Sequence, residues 1–124
     1  MRKTRSNFAL IGIVGPCASG KTTLIANLKI FGITARHIAQ EHSYVLTMWK
    51  QITDPDLLIF LDASYPDTIK RRNLNWTLEE YQEQQRRLYH ARQNADFYLL
   101  TDELTPEDVL SKILEFLNMH NILD

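Results

Sequence analysis

Gly15-Pro16-Cys17-Ala18-Ser19-Gly20-Lys21-Thr22 matches the pattern G-x-x-x-x-G-K-[ST] at every fixed position. An apolar run over residues 8–14 enters it and a helix-forming run over 23–29 leaves it, so strand, turn and helix start follow in that order. Two glycines let the backbone curl with its N–H groups turned inward. The helix start adds the positive end of its dipole, and the result is a receptor for an anion of phosphate size. On this reading Gly15, Pro16, Cys17, Ala18, Ser19, Gly20, Lys21, Thr22 and Thr23 bind a nucleotide's phosphates. Lys21 bridges the outer phosphates as a point charge, and the Thr22 hydroxyl holds a magnesium ion. The plainer alternative is a strand-to-helix turn with no ligand.

Working outward, Gly32 stands where helices end in a left-handed residue. Residues 33–39 read as a strand that runs into the polar cluster Gln40-Glu41-His42-Ser43. Tyr44, Val45, Met48, Trp49 and Ile52 fall at helical spacing, which predicts a short amphipathic helix with a core-facing stripe. Leu57-Leu58-Ile59-Phe60-Leu61 is a continuous apolar run of strand length, the mark of a strand buried on both faces of a parallel sheet. Asp62 closes that run at its carboxyl end, the edge where such sheets bind ligands. A helix opens at Pro66 and runs to Arg72, and a break over 73–77 precedes a longer helix from Leu78 to about Asn94, with Thr77 and Glu80 as a capping box. Residues 97–101 form the last strand, and Pro106 opens a closing helix with Val109, Leu110, Ile113, Leu114 and Leu117 on one face. Strands alternate with helices throughout. The fold class is α/β, a three-layer sandwich around a small parallel sheet of about four strands.

The chain's 124 residues suit one domain over 1–124, and a net charge of −1 gives no general pull toward nucleic acid or anionic membrane. No apolar run nears the roughly 20 residues of a membrane span, and the basic opening Arg2, Lys3, Arg5 leads into too short an apolar stretch for a secretion signal. A cytoplasmic protein is the expectation. The single cysteine, Cys17, excludes an internal disulfide and by itself promises no metal cluster; it serves either as a small residue that fits the loop or as a place where oxidation blocks it.

Absences narrow the class. No glycine follows Gly32, so a D-x-x-G switch and a Ser-Gly-Gly transporter signature are impossible, and no N-K-x-D guanine reader is present. With this phosphate loop the chain resembles the P-loop NTPase superfamily, which implies that fold in minimal form, and further stretches are similar to the nucleoside and nucleotide kinases of that superfamily. Pro55 to Ser64, followed by Tyr65-Pro66-Asp67 and Arg71-Arg72, resembles the segment in which a strand ending in L-D leads into a helix with lid arginines. Gln40-Glu41-His42-Ser43-Tyr44 resembles the E-R-S segment of deoxynucleoside kinases, with His42 at the arginine position, and Ala95-Asp96-Phe97 resembles the entry to the last strand. The resemblance implies ATP and Mg2+ as cofactors, Glu41 as catalytic base, and an acceptor pocket that is open, supplied by a second subunit of a homo-oligomer, or missing.

Elementary chemistry leaves the same residues in view. Phosphoryl transfer needs cations around the moving group and a carboxylate to hold magnesium or orient the acceptor hydroxyl. Lys21 and Thr22 supply the first; Glu41 and Asp62, both at strand ends, compete for the second, and Asp62 with Thr22 would form the metal pair. Glu41 has a plain alternative as a solvated turn residue, and Asp62 as a strand-end cap. Arg72 or Arg71 would reach the transferring phosphate if the segment 70–92 closes as a lid; otherwise its arginines form a charged surface paired with Glu79, Glu80 and Glu83. Trp76 would stack on adenine or serve in the core or as a hinge. The functional expectation is a phosphotransferase acting on a small-molecule acceptor with Mg-ATP. The alternative is a nucleotide-binding sensor or regulatory subunit without efficient turnover. A nucleic-acid-stimulated ATPase lacks the basic patch it would need.

Overall fold

The apolar runs become the strands of one parallel sheet. In the computed structural model, residues 9–72 and 75–120 are described, the side chain of Arg72 excepted. Arg2, Lys3 and Arg5 lie outside them, as does part of the expected break over 73–77. The strands are β1 (Ile11–Val14), β2 (Ala35–His37), β3 (Leu57–Asp62) and β4 (Phe97–Leu100), side by side in the order β2-β1-β3-β4 with every pairing parallel. Both central strands are buried on two faces, as the unbroken apolar run in β3 requires.

Successive side chains on a strand point to opposite faces, and two cores result. On one face Ile11, Ile13, Ile59 and Leu61 pack against Leu24 and Leu28 of α1 (Lys21–Ile30) and Ile113 and Leu117 of α5 (Pro106–Met119). On the other, Val14, Leu58 and Phe60 pack against Trp49, Leu88 and Ala91. Helices therefore cover both faces of the sheet. The connection from β1 to β2 crosses the first face through α1. The connection from β3 to β4 runs the opposite way across the second face through α2 (Tyr65–Arg72), α3 (Leu78–Arg87) and α4 (Tyr89–Gln93). Reversing both direction and face preserves handedness, so the two crossovers share one hand.

Helix ends follow local chemistry. Gly32 at φ +77 closes α1. Thr77 and Glu80 make the capping box of α3, with hydrogen bonds of 3.1 and 2.8 Å. A second box, Thr105 with Asp108, opens α5. The single helix expected over 78–94 is divided at Leu88 into α3 and α4.

One element differs outright. No amphipathic helix forms over 44–52: a 3₁₀ turn at Gln40–His42 and a single wide π turn at Trp49–Thr53 stand there, with Trp49 buried but Tyr44, Val45 and Ile52 exposed. The buried Gln40 side chain explains the difference. Its Oε1 accepts from the Trp49 N–H at 2.9 Å, and its Nε2 donates to the Val45 carbonyl at 2.9 Å and the Arg87 carbonyl at 3.1 Å. A side chain thus satisfies backbone groups that a helix would have paired with one another.

Candidate functional site

The loop after β1 is pressed against β3. A Cβ built on Gly15 would lie 1.9 Å from the Leu61 carbonyl oxygen, so only glycine allows the chain to turn this close to the neighbouring strand. The loop then passes through Ala18 at φ +68 and Gly20 at φ +100 before α1 begins at Lys21. The first N–H groups of any helix lack intrahelical partners. In α3 and α5 threonine caps serve them, but the N-cap of α1 is Gly20, which offers no side chain.

That bare helix start borders a cavity of about 530 Å³, lined by residues 17–24, His37, Glu41 and Arg71, with Leu104, Pro106 and Val109 as its apolar wall. It sits beyond the carboxyl end of β1. There the connection from β1 leaves toward β2 on one side and the connection from the neighbouring β3 leaves toward β4 on the other, the reversal at which open parallel sheets bind ligands.

Lys21 and Glu41 meet here. Lys21 Nζ donates to the carbonyls of Gly15 at 2.6 Å and Pro16 at 2.9 Å, and lies 3.1 Å from Glu41 Oε2, with both side chains almost wholly buried. Glu41 reaches the loop because β2 pairs with β1 in parallel, so the residues just past each strand's carboxyl end share one edge. His42 Nε2 stands 3.7 Å and His37 Nε2 4.0 Å from the same carboxylate oxygen. Burial first, and the Lys21 cation second, push the His37 pKa below its ordinary 6.5.

Buried polar atoms without partners gather at this place. Among the described residues they are Ser19 Oγ, Glu41 Oε1 and Asp67 Oδ2. The first two belong to cavity-lining residues, and Asp67 holds Arg71, a third. Asp67 Oδ2 lies 2.6 Å from Arg71 Nε but outside its N–H direction, so the contact is an ion pair and not a hydrogen bond. Such atoms are few in folded proteins and each calls for a reason.

The other expected site residues are distributed as follows. Thr22 and Thr23 line the cavity, whereas Gly15 and Pro16 lie behind it and turn their carbonyls to Lys21. Asp62 does not line it. Its side chain shares the face of Phe60, where Oδ2 accepts from the Tyr98 hydroxyl at 2.6 Å and Arg92 at 3.2 Å, and Oδ1 accepts from Gln85 and its neighbour Ala63 N–H, each at 2.9 Å. Of the expected metal pair, Thr22 lines the cavity and Asp62 does not; the carboxylate among the lining residues is Glu41. The Arg72 side chain lies outside the described residues. Arg71 is present, donating to Thr101 Oγ1 at 2.8 Å and to the Thr101 carbonyl. Trp76 packs edge-on against Tyr81 of α3 and donates to Thr68 Oγ1 of α2 at 3.1 Å, so it bridges the two helices.

Sequence reasoning overlooked Gln84, which clamps the loop from α3. Its Oε1 accepts from the Cys17 N–H at 3.0 Å and its Nε2 donates to Cys17 Sγ at 3.2 Å. Nothing in the polar run 79–87 distinguishes it. The apolar wall was equally hidden, since Leu104 and Pro106 read only as a helix approach.

Among the described residues no helix is long and apolar enough to cross a membrane. No protein-family model matches the chain, and no curated protein does.

Proposed function

We propose that the chain binds Mg-ATP in this cavity and passes the terminal phosphoryl group to a small-molecule acceptor, as a minimal P-loop phosphotransferase. The observation that carries the reading is convergence: the buried Lys21, the start of α1 without a side-chain cap, and Ser19 and Glu41, each with a buried oxygen that has no hydrogen-bond partner, all belong to the lining of one cavity at the sheet's switch point. Thr77 and Thr105 cap the starts of α3 and α5, whereas α1, like the short α4, has no side-chain cap.

In this reading the α1 N–H groups and Lys21 hold the phosphates, with the Lys21 ammonium exchanging its carbonyl and carboxylate partners for phosphate oxygens. Leu104, Pro106 and Val109 supply an apolar wall for the base. The donor set fits magnesium, with the Thr22 hydroxyl and the Glu41 carboxylate as the oxygens that would hold it or its water. Magnesium, when bound, neutralises charge on the phosphates during transfer. Glu41, released from Lys21, is the candidate to take the acceptor's proton, and Asp62 is left to hold β3 to β4.

A second reading, nucleotide binding without efficient turnover, is favoured by one specific observation. Arg71, one of the two arginines expected to reach the transferring phosphate, is engaged with Asp67 and Thr101, and other arginines of the expected lid segment have acidic partners of their own, Arg86 and Arg87 in Glu83 and Arg92 in Asp62. Calorimetry with Mg-ATP, followed by ADP assays over nucleosides, nucleotides and small alcohols, separates the two. ADP that appears with one acceptor alone supports the transferase, and tight binding with slow acceptor-independent turnover supports the sensor. Silence toward both ATP and GTP, or a Lys21→Ala variant that binds as before, sinks both readings.

A further inference from the structure

Two residues of the cavity lining, Cys17 and Glu41, stand with His42 as three donors that phosphate binding does not employ together. Cys17 Sγ lies 3.9 Å from His42 Nε2, His42 Nε2 lies 3.7 Å from Glu41 Oε2, and each of the three residues offers a ligand atom within 4.8 Å of the others. A tetrahedral zinc ion with a metal–sulfur distance of about 2.3 Å and metal–nitrogen or metal–oxygen distances of about 2.0 Å keeps its donors about 3.5 Å apart. The side chains stand within a few tenths of an ångström of that spacing on two of the three edges.

Two independent features point to a ligand. Glu41 is nearly fully buried; its Oε2, the oxygen 3.7 Å from His42, pairs with Lys21, while its Oε1 has no hydrogen-bond partner and leaves the carboxylate with capacity for a cation. Gln84 grips Cys17 by both its N–H and its sulfur. Such outer hydrogen bonds to a ligand atom fix its direction and stabilise its charged form.

We propose that Cys17, Glu41 and His42 form a three-ligand site for a borderline-soft divalent cation, of which zinc is the type, with the fourth position open to water or an incoming ligand. A thiolate and an imidazole suit zinc and not magnesium, which takes oxygen donors in an octahedron. Binding forms bonds from the sulfur, the imidazole nitrogen and a carboxylate oxygen to the ion, and the thiol proton leaves to solvent. Glu41 is then shared: an ion that takes its carboxylate competes with Lys21 for the same charge. Occupation of this site therefore obstructs the phosphate loop, a consequence that rests on the nucleotide reading, whereas the metal site itself does not.

Cobalt(II) titration of the reduced, full-length protein tests the site directly. A sulfur-to-cobalt charge-transfer band should grow to one equivalent, yield to zinc and ignore excess magnesium. Cys17→Ser should abolish it. His42→Ala, a change at an exposed side chain that leaves the fold intact, should weaken binding at least ~10-fold by loss of one ligand. Gln84→Met should weaken it roughly 10- to 100-fold through the lost hold on the sulfur. Lys21→Met should eliminate ATP binding but retain the band, tightened about 10-fold or more by removal of the competing charge; this variant separates failure of the metal site from failure of the nucleotide reading. A wild-type protein without the band, or a band of equal affinity in His42→Ala, overturns the proposal.

Discussion

Replacing Lys21 by Met and Glu41 by Gln, singly and together, tests the central electrostatic feature of the site. Lys21 Nζ and Glu41 Oε2 are 3.1 Å apart, with side chains 6% and 3% exposed. At an effective dielectric of about 20, unit charges at that separation attract by about 5 kcal/mol. Desolvation of both groups opposes that attraction, so the pair as a whole adds little to stability. Removing one partner is different, because it strands the other charge in a buried position at a cost of about 3–5 kcal/mol. Each single variant should therefore unfold at markedly lower urea concentration, and the double variant, which removes both charges, should be more stable than either.

The same variants separate stability from binding. Lys21→Met removes the phosphate ligand, and ATP titrations should show no heat. Glu41→Gln releases the ammonium from its carboxylate and should strengthen ATP binding while eliminating any acceptor-dependent ADP formation. Calorimetry read beside urea unfolding supplies both measurements. If the double variant loses the plain sum of the two single losses, within about 0.5 kcal/mol, the side chains are not coupled and the description of the site is wrong.

Gly15→Ala puts a methyl group 1.9 Å from the Leu61 carbonyl, so the loop must move off β3; we expect overpacking to cost about 1–3 kcal/mol in urea unfolding and ATP binding to be lost. His37 has a pKa lowered by burial, so below its ordinary 6.5 the unfolded chain takes up a proton that the folded chain refuses; stability falls as pH drops through that window, and His37→Gln should flatten the thermal-melting profile between pH 7 and pH 5. Tyr98 is pushed up to about 12, first by burial and then by its hydrogen bond to Asp62, so one phenolate should appear in the ultraviolet titration only near pH 12. Its stabilising effect persists below pH 10 and disappears as pH rises from there to about 12, and Tyr98→Phe should cost about 1.5–3 kcal/mol at neutral pH, the worth of a hydrogen bond to a charged group.

Much of the scaffold was legible because its signals are local. The glycine pattern before Lys21 forces a turn, the unbroken apolar run 57–61 demands a strand covered on both faces, and Thr77 with Glu80 marks a helix start from four consecutive residues. The segment 44–52 misled because helical spacing records only where apolar groups recur; it carries no information that Gln40, upstream of the segment, will occupy the backbone groups of Val45 and Trp49.

The choice between Glu41 and Asp62 shows where sequence reading gives out. Both are acidic residues at strand ends, and chemistry alone assigns either of them to magnesium or to the acceptor proton. Parity separates them: side chains alternate along β3, so Asp62 falls on the face of Leu58 and Phe60, while Ile59 and Leu61 face α1 and α5. In an amphipathic strand, polar and apolar alternation would have revealed that parity. A strand buried on both faces is apolar at every position and erases it. Glu41 lies beyond the end of β2 in a 3₁₀ turn, where strand alternation no longer applies, and its placement depends on β2 pairing directly with β1. Strand order is a long-range property, and with it comes the meeting of Lys21 and Glu41 on which the proposed chemistry depends.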